Sequence, residues 1–331
     1  MRVVSEIKGT GAYLPEKVLT NDDLSKWIDT SDKWIYKRVG IKKRHIASSS
    51  EVTSDLAAKA ALKALEDSSL SPIDIDLILL ATTTPDQLLP STATQVQRKI
   101  EAHNAAALDI SAACSGFVYG LTIADQFIKS GFYKNILIIG AELLSRFTNW
   151  EDRSTCVLFG DGSGAVVLSA KHTENDIGIK HSVLGADGFA PQDWLNIPAG
   201  GSALPANVET VRNNLHYINM NGKTIFKFGV KIIPEIVNQL LHQNGYSIND
   251  IDLIIPHQAN ARIVTAAAHQ LGIPVEKFFM NIDKYGNTSV ASIPIALNDA
   301  REQNKIKKGD KIIMIAFGGG LTWGSVLYEW N

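Results

Sequence analysis

Two stretches of this chain, 176 positions apart, repeat one pattern: DLAAKAALKALEDSSLSPIDIDLILLA at 55–81 and KIIPEIVNQLLHQNGYSINDIDLIIPH at 231–257. In the first, Leu56, Ala60, Leu62 and Leu65 recur at roughly helical spacing; in the second, Ile233, Ile236, Val237, Leu240 and Leu241 do. Each helix signal leads through turn residues into a short apolar run of the length of a buried strand. An internal repeat is read before any single motif, because it fixes the architecture the motifs sit on.

The likeness continues downstream. AALDISAACSGFVYGLTIADQFIKSGFYKNILIIGAE and FFMNIDKYGNTSVASIPIALNDAREQNKIKKGDKIIMIAFGG follow in the same order, and the halves close on GSGAVVLSA and WGSVLYEW. Helices alternating with continuous apolar strands predict mostly parallel sheets covered on both faces. We read a duplicated α/β chain divided in the polar KHTENDIG stretch at 171–178, with halves at 1–172 and 173–331. Asp76 precedes Cys114 by 38 positions and Asp252 precedes Asn287 by 35, so Cys114 and Asn287 are expected at matching places, just after a strand and at a helix start. His257 ends the strand that corresponds to the one ending at Ala81. Ligands of α/β sheets gather beyond the carboxyl ends of strands, so a pseudo-twofold relation brings Cys114, His257 and Asn287 toward one cleft.

Composition narrows the class. With 331 residues, 45% of them hydrophobic, the chain can bury a large core. Its net charge of −2 speaks against a nucleic-acid partner, whose footprint is usually basic. MRVVSEIKGTGAYLPEKV lacks the apolar centre of a signal peptide, and runs such as ILIIGA are far too short to cross a bilayer. Two cysteines build no disulfide framework, which favours a reducing cytoplasm.

The chemistry-bearing residues have bland readings too. A lone cysteine such as Cys114, in ISAACSGF, often only fills space. Placed at a strand-to-helix turn, it would instead be a nucleophile, partly ionised near neutral pH because helix N–H groups and dipole favour the thiolate. Cys156, in RSTCVLFGDGSGA, reads as packing on a strand. His257 opens HQANARI and is either a satisfied strand-end imidazole or a hydrogen-bonding partner for a substrate carbonyl. Asn287, in YGNTSVAS, alone fits an ordinary turn or cap. AFGGGLTWGS lets backbone approach a substrate, whereas FGDGSGA lacks dinucleotide spacing and a Walker lysine and reads as a tight start to a strand. No His/Cys/Asp/Glu cluster has metal-ligand spacing.

Taken in order, DISAACSGF, PHQANARI, YGNTSVASIP and AFGGGLTWGS resemble the β-ketoacyl-acyl-carrier-protein synthase III family of the thiolase superfamily; TSDKWIYKRVGIKKRHIA and DRSTCVLFGDGSGA extend the resemblance over essentially the whole chain. The resemblance implies an α/β, thiolase-like, five-layer αβαβα fold built from two duplicated halves, a homodimer, and no metal or redox cofactor, a coenzyme A (CoA) thioester being a substrate. It implies that Cys114 takes the acyl group of an acyl-CoA, with the backbone N–H groups of Cys114 and Gly319 as oxyanion hole. Malonyl-acyl-carrier protein then loses carbon dioxide while His257 and Asn287 hold its thioester carbonyl, and its carbanion attacks the acyl-Cys114 thioester.

By the same resemblance Trp34 and Arg153 sandwich the CoA adenine with Thr30 and Arg38 nearby, and Gly222 and Asn260 line the pantetheine channel. Lys227, Gln258 and Arg262 meet the acidic carrier protein; Leu89, reaching across the dimer, Phe159 and Phe317 bound the acyl pocket. Two features separate this chain from its wider relatives: Cys156 is in the wrong motif for the second cysteine of thiolases, and Asn287 stands where elongating synthases use a histidine. Where the family often has a lysine pair after the histidine motif, AAAHQLG supplies His269 and Gln270, a weaker basic patch. The competing readings are a secondary-metabolite condensing or acyl-transfer enzyme on the same scaffold and a non-catalytic acyl-CoA-binding protein. A papain-like protease is disfavoured because GSCW is absent.

Overall fold

The computed structural model describes residues 1–175 and 177–331. Its first main sheet runs in the order Arg2–Tyr13, Gly162–Thr173, Asn135–Glu142, Leu77–Ala81, Ala106–Ile110. The second runs Gly178–Ala186, Thr322–Glu329, Lys311–Gly318, Leu253–Pro256. Read in that direction both sheets pair antiparallel, antiparallel, parallel. The first adds a further parallel strand; in the second, a parallel bridge from Ile254 to Phe278 stands in its place.

Both sheets are therefore mixed, not mostly parallel as the apolar runs predicted. Such runs report burial on both faces, and here helices cover both faces of antiparallel strands as well. Lys311–Gly318 and Thr322–Glu329 are joined by a short turn, a connection only antiparallel neighbours allow.

The repeated letters make repeated hydrogen bonds. Asp76 Oδ2 accepts from the N–H groups of Lys134 at 2.8 Å and Asn135 at 2.9 Å, and Asp252 Oδ2 accepts from Lys311 N–H at 2.8 Å, so each aspartate fixes the start of the neighbouring strand. Just upstream, Ser71 N–H donates to Asp74 and Ser247 N–H to Asp250, closing the same single-turn helix.

Side-chain alternation along the strands sorts the core into layers. Leu77, Leu79, Ile136, Ile138, Val166 and Leu168 share one cluster with Phe117, Leu121 and Ile128 of the Gly116–Lys129 helix, Ile293 and Leu297 of the Ser292–Glu302 helix, and Ile255, Ile312, Met314 and Val326 of the second sheet. Their neighbours Ile78, Leu80, Leu137 and Ile139 face the Thr53–Ser68 and Thr92–Lys99 helices. Ile254, Ile313, Ile315 and Leu327 face Gly222–Asn244 and Ala261–Leu271. Helix, sheet, helix, sheet, helix: these are the expected five layers.

The two central helices begin pressed against the opposite half. A Cβ at Gly140 would lie 2.6 Å from Val290 O, and one at Gly318 would lie 2.8 Å from Cys114 N. Only glycine allows these approaches, which deliver residues 287–292 and 113–116 to one place between the sheets. Among the described residues no helix is long and apolar enough to cross a membrane.

Candidate active site

Cys114 lies in a single 3₁₀ turn, Ala113–Ser115, that feeds the Gly116–Lys129 helix and opens on Ala113 at φ 45°. Ser289–Ala291 is the same device before Ser292–Glu302, opening on Ser289 at φ 48°. A side chain at positive φ is strained by roughly 1 kcal/mol or more, so each turn is held by its surroundings. The repeated unit is thus the turn, and Val290 occupies the place of Cys114: Asp252 plus 38 positions is 290. Asn287 lies three residues earlier, after the short Ile282–Tyr285 helix rather than a strand, and forms a parallel bridge with Phe159.

One segment ties the three predicted side chains together. Asn287 accepts Ser289 N–H on Oδ1 at 2.8 Å, which leaves its Nδ2 donors for another partner. Ser289 Oγ is 3.3 Å from Cys114 Sγ, and Ser292 Oγ is 2.7 Å from His257 Nδ1. His257, at the end of Leu253–Pro256, is anchored by its N–H to Ile315 O at 2.7 Å and meets the Phe317 ring edge-on, centroids 6.0 Å apart. Ser292 Oγ also accepts Gln258 N–H at 3.3 Å, so the imidazole is held at Nδ1 and its Nε2 is left for another partner. Burial lowers the His257 pKa to about 3: the ring is a neutral donor at physiological pH.

The thiol departs from expectation. Burial pushes Cys114 up to about 12, with the Ser289 hydroxyl opposing the shift and the Glu142 charge adding to it. From the ordinary value of 9.0 that is about 4 kcal/mol against ionisation, whereas a helix N-terminus supplies at most ~2 kcal/mol in favour. Cys114 rests as a thiol, not a partly formed thiolate. Cys156 is fully buried in the Leu144, Val157, Leu158 cluster, pushed by burial to about 11; it packs, as expected, but in a turn ahead of the strand, not on it.

The remaining predicted residues divide. The N–H groups of Cys114 and Gly319 find no backbone acceptor among the described residues, and Gly318 brings the two stretches together. Thr30 Oγ1 and Arg153 Nε are buried without a hydrogen-bond partner among the described residues. Arg153 stacks directly on Trp34, its Cζ 4.1 Å from the ring centroid, with Arg38 5.6 Å away. The expected adenine sandwich leaves no gap here: two stacking contacts need about 7 Å between the planes, so Arg153 would have to swing out for a base to enter. Asn260 caps the Ala261–Leu271 helix and reaches Arg38 O at 3.4 Å; Gly222 begins the Gly222–Asn244 helix. Lys227, Arg262, His269 and Gln270 are exposed. Gln258 is not a docking residue. It is 2% exposed, donates to Pro256 O and Phe279 O, and accepts Asn281 N–H, so its amide is spent inside the fold. Phe159 and Phe317 are buried beside Asn287 and His257, whereas Leu89 is 84% exposed.

Sequence reading passed over Ser289 and Ser292, although both stand in the quoted YGNTSVAS stretch, and Glu142 at the end of ILIIGAE. Their roles depend on contacts between halves, which no local spacing displays.

A half-buried thiol at a helix start, backbone donors beside it and a neutral imidazole and an amide tied to it through one segment are suited to acyl transfer, and together with the five-layer fold they define a thiolase-fold condensing enzyme. Residues 108–188 match the family described as 3-oxoacyl-[acyl-carrier-protein] synthase III, and residues 241–330 match its C-terminal counterpart. The chain is 53% identical over 330 residues to a β-ketoacyl-[acyl-carrier-protein] synthase III of Caldanaerobacter subterraneus subsp. tengcongensis, covering 100% of this chain and 99% of that one. It is 52% identical to the protein of the same description from Clostridioides difficile, covering 100% of both. The crystal structure of 3-oxoacyl-[acyl-carrier-protein] synthase III from Aquifex aeolicus superposes with TM-score 0.91 at 50% identity, over 98% of this chain and 100% of that one. The chain belongs to the β-ketoacyl-acyl-carrier-protein synthase III family, acyl-transferring condensing enzymes.

Proposed function

We propose that the chain performs the initiating condensation of fatty-acid synthesis, joining an acyl-CoA primer to malonyl-acyl-carrier protein through an acyl-Cys114 intermediate. Cys114 attacks the acyl-CoA thioester, and the N–H groups of Cys114 and Gly319 hold the developing oxyanion. CoA leaves and malonyl-acyl-carrier protein enters. His257 Nε2–H and Asn287 Nδ2 donate to its thioester carbonyl and stabilise the enolate left when carbon dioxide departs. That carbanion attacks the acyl group, releasing Cys114 and the β-ketoacyl product. The observation that carries this reading is the segment Asn287–Ser292, which contributes one donor itself, touches Cys114 through Ser289 and orients His257 through Ser292.

Around this centre Thr30, Trp34, Arg38 and Arg153 would take the CoA adenine end, Gly222 and Asn260 its pantetheine arm, and exposed Lys227 and Arg262 the acidic carrier. The halves divide at 172/173. A homodimer is supported by the free edge of the Ala106–Ile110 strand, where Leu108 is 44% exposed. Asp109 of that strand caps the helix that follows the exposed Leu88–Leu89 loop, so loop and edge lie together. No metal or redox group enters the scheme, and a reduced Cys114 suits the cytoplasm.

The test separates the half-reactions. His257→Ala or Asn287→Ala is expected to lower malonyl decarboxylation by about 10²–10³-fold, the loss typical of an oxyanion donor, while Cys114 acylation changes far less. If Asn287→Ala abolished acylation but spared decarboxylation, the roles would be wrong; a non-catalytic binder would show neither half-reaction in any form.

A further inference from the structure

One fully buried side chain takes no part in the proposed reaction. Arg44 lies in the strand Lys43–Ile46, which pairs antiparallel with Lys17–Thr20 apart from the two main sheets. It is 0% exposed, and no carboxylate among the described residues pairs with it. Burial lowers its pKa to about 10, so it stays a cation at physiological pH. A buried cation without a counter-charge is costly to fold, and an apolar side chain of its length would fill the space without that cost. What the guanidinium adds is a rigid fork of donors. Nη1 donates to Asn21 Oδ1 at 2.9 Å and to Leu19 O at 3.3 Å; Nη2 donates to Val157 O at 2.8 Å. Asn21 is itself fixed, its Nδ2 donating to Ile41 O at 2.7 Å and to Asp32 Oδ1 at 2.9 Å.

Val157 begins the stretch that holds Asn287. Asn287 N–H donates to Leu158 O at 2.9 Å, Gly160 N–H donates to Asn287 O at 3.0 Å, and Phe159 between them makes the parallel bridge to Asn287. Both backbone groups of Asn287 are thus spent on the stretch whose first carbonyl Arg44 binds. The base of the Arg44 side chain closes the other side. A Cβ on Gly160 would lie 2.9 Å from Arg44 Cβ and one on Gly286 3.2 Å, so Arg44 packs against a residue on each side of the bridge. Its chain neighbours reach the same region: Lys42 N–H donates to Asp283 O at 3.1 Å, and Asp161 N–H donates to His45 O at 2.8 Å. We propose that Arg44 is a positioning residue for Asn287: it fixes the 157–160 stretch against Asn287 and thereby aims the Asn287 amide at the malonyl thioester carbonyl. A donor of this kind works only when held to within about 0.5 Å of its productive place. Arg44, fully buried, reaches no substrate atom itself.

This inference rests on the proposed role of Asn287 in decarboxylation, and a double-mutant cycle keeps the two apart. Carbon dioxide release from malonyl-acyl-carrier protein and acyl-Cys114 formation at saturating acetyl-CoA are measured for wild type, Asn287→Ala, Arg44→Met and Arg44→Lys. Both are measured again with each Arg44 substitution placed on Asn287→Ala. Arg44→Met is expected to lower kcat for carbon dioxide release on the order of 10–10²-fold, the scale of a donor misplaced by ~1 Å, with KM for the carrier nearly unchanged. Arg44→Lys, which keeps the charge but not the fork, is expected to fall between Arg44→Met and wild type, and it carries the comparison should Arg44→Met misfold. Acyl-Cys114 formation should change far less. On Asn287→Ala, neither substitution should lower release further. Losses of the same size with and without Asn287 would show a merely structural role and overturn the inference, as would wild-type release by folded Arg44→Met. Undiminished release by Asn287→Ala alone overturns the proposed role of Asn287, and with it the inference.

Discussion

Ser292 Oγ stands 2.7 Å from His257 Nδ1 and holds in place an imidazole that burial keeps neutral. Folding lowers the His257 pKa from 6.5 to about 3, so between those values the unfolded chain binds a proton that the folded one refuses. Stability from this source is complete above pH 6.5 and is lost as pH falls toward 3. At pH 5 the loss is about 2 kcal/mol, 1.5 pH units at 1.36 kcal/mol each. Urea unfolding at pH 7.5 and 5.0 should therefore show a smaller acid-induced loss for His257→Gln than for wild type; equal losses would contradict the buried neutral ring.

Arg153 over Trp34 makes a second prediction. Admitting an adenine requires the guanidinium to leave the ring, so CoA titration should change tryptophan fluorescence in wild type and not in Trp34→Leu. Arg153→Ala should raise KM for acyl-CoA about tenfold, the scale of one partly desolvated cation–π contact, with little effect on malonyl decarboxylation. An unchanged KM would move the nucleotide site elsewhere.

Leu89 and its neighbour Leu88 are 84% and 85% exposed in the single chain, and in the proposed homodimer they would be available to the partner. A flexible leucine closing the partner's acyl pocket would leave room for medium chains, each buried methylene contributing about 0.8 kcal/mol. Leu89→Phe is expected to shift kcat/KM toward short primers across acetyl- to dodecanoyl-CoA while Cys114 stays reactive. The same profile in both proteins would show that Leu89 gates nothing.

Much of the fold was legible because the repeat is chemical as well as textual. SPIDIDL and SINDIDL build the same turn and strand start through Asp76 and Asp252, and alternation then sorts the layers. Strand direction was not legible, since an apolar run reports covered faces and not the sense of its neighbour. That Cys114, His257 and Asn287 come together was legible through their motifs and the repeat. Gln258 was misread because a motif position does not reveal that an amide is used up by Pro256, Phe279 and Asn281. The protonation of Cys114 was misread for a related reason. A helix start is visible in sequence, but Glu142, whose charge adds to the upward shift, comes from a strand end 28 residues on.

The most direct measurement is peptide mapping of the enzyme after incubation with acyl-CoA and again after adding malonyl-acyl-carrier protein. The acyl mass should sit on the peptide carrying Cys114, be absent from that carrying Cys156, and disappear on the second addition as β-ketoacyl-carrier protein forms. An adduct on Cys156, or an acyl-Cys114 that malonyl-acyl-carrier protein leaves in place, would contradict the assignment.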